Sequence, residues 1–83
     1  MTTLDLDSVK AFVLTAELQS FTRAAEVLGS TQSAISLKLR RLEQQLGRRL
    51  LDRTPRRVRL SAEGLTFLEA ARDLIGAHQR AVA

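Results

Sequence analysis

Residues 20–43 read SFTRAAEVLGSTQSAISLKLRRLE, and the fold turns on how this stretch divides. Apolar spacing predicts a short helix over Phe21–Leu28, with Phe21, Ala24, Ala25 and Leu28 inward and Arg23 and Glu26 outward. The small Ala24-Ala25 pair lets a neighbouring helix come close. Gly29 suits the left-handed position that ends a helix. Thr31 then reads as the N-cap of a second helix, Gln32–Leu46. Its inward face is Ile35, Leu39, Leu42 and Leu46, spaced i, i+4, i+7 and i+11. Opposite that face lie Ser33, Leu37, Arg40 and Gln44, with Ser36 and Arg41 beside them. A short helix, a tight turn and a second helix with a small, polar, exposed start form an arrangement that presents a helix to the DNA major groove.

Working outward, Leu6, Val9, Phe12, Val13 and Ala16 predict a helix over Leu6–Leu18. Asp5 is positioned to cap it, and Gln19 and Ser20 break it. Gly47 ends the Gln32–Leu46 helix. From Leu50 to Leu60 the period changes: Val58 and Leu60 alternate with Arg57 and Arg59, a strand pattern with one basic face. Thr54-Pro55-Arg56-Arg57 is the turn. The pair of strands is marginal alone and must lean on the helices as a wing. Ser61 caps a last helix from Ala62 to about Val82, although Gly64 stands where a capping box would place Glu. Phe67, Leu68, Ala70, Ala71, Leu74, Ile75, His78, Ala81 and Val82 form its wide apolar stripe. Two readings of that stripe stand: pairing with a second copy of the chain, or packing back onto the same chain.

With 83 residues, 45% of them hydrophobic, the chain is sized for one small folded domain. Its basic residues are unevenly spread. Nine of the 13 Lys and Arg fall between Lys38 and Arg59, opposed there by Glu43 and Asp52 alone, a net +7, while the remainder is acidic. Such a segment attracts polyanions. There is no cysteine, which excludes disulfides and thiolate chemistry. The start, MTTLDLDS, lacks the apolar core of a secretory signal, and no apolar run is long enough to span a membrane. A cytoplasmic, nucleoid-associated protein is expected.

Catalytic readings lack residues. The one histidine, His78, sits in the apolar stripe, where a core or interface role is expected. No His, Cys or carboxylate cluster suggests a metal, and the four glycines are too scattered to cradle a phosphate. No enzyme activity, cofactor or metal is expected. DNA binding absorbs several features together. The N-terminus of the Gln32–Leu46 helix offers free N–H groups and a positive dipole end. Gln32 has the donor–acceptor pair for adenine, and Ser33 and Ser36 serve donors or acceptors. Leu37 has two readings, a contact to a thymine methyl group or an ordinary exposed leucine. Arg40 and Arg41 fit phosphates, which position rather than specify. Arg53, Arg56 and Arg57 on the wing fit the flanking backbone or a narrow minor groove.

These residues resemble the winged helix-turn-helix of LysR-type transcriptional regulators. FTRAAEVL, TQSAIS, RLEQQLG, LLDRT and LSAEG follow one another at that family's spacing, and the resemblance covers essentially the whole chain. It implies a mainly α fold: three helices and a two-stranded β-hairpin wing over residues 1–60, then a linker helix over residues 61–83. It implies DNA contacts from Gln32, Ser33 and Ser36, phosphate contacts from Thr22 and Thr31, and a wing contact from Arg53. It also implies that the last helix pairs antiparallel with its mate, through Phe67, Leu68, Ala71, Leu74, Ile75 and His78. The resulting homodimer pairs again into a tetramer in a full-length regulator. Ser33 and Leu37 stand where many members have proline and arginine, Arg48 where an apolar residue is frequent, and Leu51 where Phe is frequent. The two-lobed effector-binding domain of such regulators has no counterpart in the sequence, so no small-molecule effector site is expected. Two rival readings are a sequence-independent, nucleoid-type DNA binder and a winged helix used only for protein contacts.

Overall fold

A computed structural model describes residues 3–53 and 58–83. Six elements follow in order: α1 Leu6–Leu18, α2 Phe21–Leu28, α3 Gln32–Leu46, β1 Leu51–Arg53, β2 Val58–Leu60 and α4 Ala62–Val82. This is the expected mainly α, winged arrangement. Capping explains most of the boundaries. Ser20 Oγ accepts from the Arg23 amide at 3.1 Å, Thr31 Oγ1 from the Ala34 amide at 3.1 Å, and Ser61 Oγ from the Gly64 amide at 2.9 Å. Each satisfies an N–H that the helix cannot satisfy itself. Asp5 departs from the expected cap. It occupies the N-cap position, but its side chain takes no backbone N–H. Its Oδ2 instead accepts from the Ser8 hydroxyl at 2.9 Å.

The helices end in left-handed residues. Gly29 has φ 64° and hands its N–H to the Ala25 and Glu26 carbonyls, and Gly47 ends α3 in the same way. Gln19 ends α1 at φ 53°, a conformation that costs a side-chain-bearing residue about 1–2 kcal/mol.

The core gathers Val9, Ala11 and Phe12 from α1, Ala25 from α2, Ile35, Leu39 and Leu42 from α3, Leu50 and Leu51 from the hairpin, and Leu68 and Ala71 from α4. The helix α1 touches α2, α3, α4 and β2. With neighbours on so many sides, its buried arc is wider than its apolar stripe. Ser8, Ala11 and Thr15 are buried, whereas Leu6, Val13 and Ala16 are only partly so. Leu28, expected inward, is 42% exposed. As the last residue of a two-turn helix it reaches only the edge of the core.

The hairpin pairs Leu51 with Leu60, Asp52 with Arg59, and Arg53 with Val58, antiparallel. Arg59 is exposed and Val58 and Leu60 are half-buried, as the alternation requires. The turn Thr54-Pro55-Arg56-Arg57 lies outside the described residues. Two anchors hold the hairpin. Glu43 Oε2 on α3 accepts from the Leu50 and Leu51 amides at 2.8 and 3.2 Å. At Gly64, the first turn of α4 comes so close to the Leu50 carbonyl that an added Cβ would overlap its oxygen. Neither anchor is visible in the residue pattern.

Candidate nucleic-acid interface

The outer face of α3 is built by what holds its inner face. Ile35, Leu39 and Leu42 are 0–1% exposed and Leu46 is half-buried, so the helix cannot roll. Gln32, Ser33, Leu37, Arg40, Arg41 and Gln44 consequently face solvent, with Ser36 half-buried among them. Gln32, Ser33, Ser36, Leu37 and Arg40 line an open hollow of about 430 Å³. The two serines make the hollow, because their side chains are short where their neighbours are long.

The N-termini of α2 and α3 converge at this surface. Thr22 Oγ1 donates to Gln32 Oε1 at 3.4 Å, a long, weak bond between exposed groups. Thr22 therefore touches the same residue that the sequence places against bases, a link between helices that spacing does not show. Thr31 is exposed and accepts from the Ala34 amide, which leaves its hydroxyl proton free to donate outward. Further along α3, Arg40 also borders a second hollow of about 360 Å³ with Glu43, Gln44, Gly47, Arg48 and Arg49. Arg48 lies 3.7 Å from Glu63, an exposed pair that screening weakens. This basic end of α3 is broader than the expected Arg40 and Arg41. It arises because Gly47 turns the chain back beside the helix.

Of the wing residues, Arg53 contributes its backbone to β1 and pairs with Val58, while Arg56 and Arg57 lie outside the described residues. The α4 residues divide. Leu68 and Ala71 are buried in the chain's own core, and Phe67 packs on Phe12 with ring centroids 5.4 Å apart. Ile75 and His78 are half-buried, and His78 Nδ1 is enclosed without a hydrogen-bond partner. Leu74 is 41% exposed, and Leu65, absent from the expected stripe, is 59% exposed. Arg72 on α4 reaches Glu17 on α1 at 3.3 Å. The near end of the stripe thus packs inward, as the same-chain reading required. Among the described residues, no group of three His, Cys, Asp or Glu could hold a metal ion. No helix among them is long and apolar enough to cross a membrane.

Residues 6–65 match the profile of the family described as "Bacterial regulatory helix-turn-helix protein, lysR family". The chain belongs to the LysR family. It is 47% identical over 73 residues to the transcriptional regulator PtxR of Pseudomonas aeruginosa, covering 88% of this chain and 23% of PtxR. It is 48% identical over 71 residues to the SDS degradation transcriptional activation protein of a Pseudomonas species, covering 86% and 23%. This LysR-type chain therefore spans about a quarter of the length of those relatives. Among solved structures, the BenM DNA-binding domain in complex with catB site 1 DNA superposes with a TM-score of 0.89 at 36% identity. That match covers 94% of this chain and 87% of the other. The fold is accordingly that of a LysR-type winged helix-turn-helix DNA-binding domain.

Proposed function

We propose that this chain binds a double-stranded operator sequence-specifically, as a homodimer, within a regulator of transcription. The carrying observation is the outer face of α3, where Gln32, Ser33, Ser36, Leu37 and Arg40 surround a hollow above a fully buried Ile35–Leu39–Leu42 ridge. That face enters the major groove, with Gln32 and the serines at base edges and Arg40 toward phosphate. Thr31 donates to a phosphate oxygen at the paired helix N-termini, and Thr22 does so by giving up its weak bond to Gln32. Arg53, Arg56 and Arg57 carry the wing to the flanking minor groove or backbone. The similarity to a solved domain–DNA complex supports this placement.

Dimerisation uses the part of α4 that the core leaves open. Leu74 is the exposed centre of that surface, Ile75 and His78 border it, and Phe67, Leu68 and Ala71 support it from within. Residues 1–60 act as the DNA-reading unit and residues 61–83 as the linker that joins two of them. The activity is binding rather than catalysis, and it is exercised in the cytoplasm, where the operator is. In a full-length regulator the dimers pair into tetramers.

The test is selection from a pool of random duplexes followed by affinity measurement at physiological salt. The expected result is an inverted-repeat motif bound at least about 10³-fold more tightly than a scrambled duplex. Equal affinity for every duplex would replace this reading with sequence-independent binding. No binding at low salt would replace it with a protein-contact role.

A further inference from the structure

Leu37 is left outside the core. It is 48% exposed, the one large apolar side chain of α3 that the core does not take. It is also the one apolar side chain among the five that line the hollow, between Ser33, Ser36 and the long Arg40 and Gln32. The serines are too short to fill the space beside it. A small apolar group descending toward α3 would meet the leucine branch and be flanked by hydroxyls. In the major groove that group is the C5 methyl of thymine, the apolar landmark at a base edge.

We infer that Leu37 is a specificity-determining residue that selects a pyrimidine C5 methyl group, so that each half-site carries a thymine opposite it. This rests on the proposed operator reading and deepens it. The contact has no hydrogen-bonding component at Leu37, so the residue reads the methyl and not the O4 oxygen. Burying one such group changes affinity by roughly 4-fold. A 5-methylcytosine at the same position would be read in the same way, because its methyl occupies the same place.

The experiment has two steps. Random-duplex selection is run with the chain and with Leu37→Ala, whose folding is checked by circular dichroism; the substitution is at an exposed position. One base pair per half-site is expected to show thymine with the native chain and no preference with the variant. A duplex from the native pool is then prepared with single changes at that position. Two comparisons isolate the methyl: thymine against deoxyuridine opposite adenine, and 5-methylcytosine against cytosine opposite guanine. Removing the methyl is expected to weaken the native chain roughly 4-fold in both comparisons and to leave Leu37→Ala unchanged. Equal binding of thymine and deoxyuridine by the native chain overturns the assignment. So does an enriched motif that Leu37→Ala leaves unaltered, in which case the operator reading survives. A native pool with no enriched motif overturns the operator reading and this assignment with it.

Discussion

At Gly64 a methyl group has no room. An added Cβ would overlap the Leu50 carbonyl oxygen, and it would stand 3.2 Å from Leu60 Cδ2. Alanine is the better helix former by about 1 kcal/mol, so an exposed glycine here would invite replacement. The clash wins because the obstacle is backbone and cannot rotate away. Gly64→Ala is expected to destabilise the chain by about 1–3 kcal/mol, read from the urea midpoint; an unchanged midpoint would refute the close approach. Glu43 is the second decisive residue. Its one carboxylate oxygen serves two hairpin amides, and Leu50 and Leu51 are 1–2% exposed. Glu43→Ala leaves those donors without that acceptor, at about 1–3 kcal/mol for an unsatisfied buried group. Chemical denaturation should show that loss. In the sequence Glu43 is merely an acidic residue within a basic segment, because its role depends on a hairpin seven residues away.

At the scale of elements, the proposed function divides the labour between α3, which reads, and the wing, which grips. The helix presents short side chains at its start, so bulk there should block the groove without touching the core. Ser33→Tyr is expected to keep its circular dichroism spectrum and thermal transition while losing operator selectivity. Retained selectivity in a binding assay would contradict the placement of α3. The wing is expected to act through charge. Arg53→Ala should weaken operator binding by about 1–3 kcal/mol in a fluorescence titration, whereas unchanged affinity at physiological salt would remove the wing from the interface. Helix bounds were legible because each element carries its own punctuation: Ser20, Thr31 and Ser61 as caps, Gly29 and Gly47 as stops. The burial of α1 was less legible. Its apolar stripe names Val9 and Phe12, but Ser8, Ala11 and Thr15 are buried because α2, α3, α4 and β2 surround it.

For the molecule as a whole, the α4 stripe divides in two. Its near half completes the core through Leu68 and Ala71, and Phe67 packs on Phe12. Its far half leaves Leu74 and Val82 open. Sequence periodicity cannot separate the two halves, since both carry the same apolar spacing. The exposed Leu74 is the position where a charge should separate copies without emptying the core. Leu74→Glu is expected to sediment as a monomer and to bind an inverted-repeat operator more weakly, with half-site affinity retained. A variant that still sediments as a dimer would move the interface elsewhere. In the proposed dimer, two-fold symmetry doubles the site, because one recognition helix spans only a few base pairs.

The sequence by itself determined the helix-turn-helix, its outward face, the hairpin and the family, because caps, stops and apolar spacing are local signals that the chain writes out in order. Only the tertiary structure decided three other things. It showed that Thr22 meets Gln32, that Glu43 and Gly64 bind the hairpin to α3 and α4, and that half of the α4 stripe is already used within the chain. Each of these joins residues distant along the chain, and no spacing rule reports which surfaces folding will bring together.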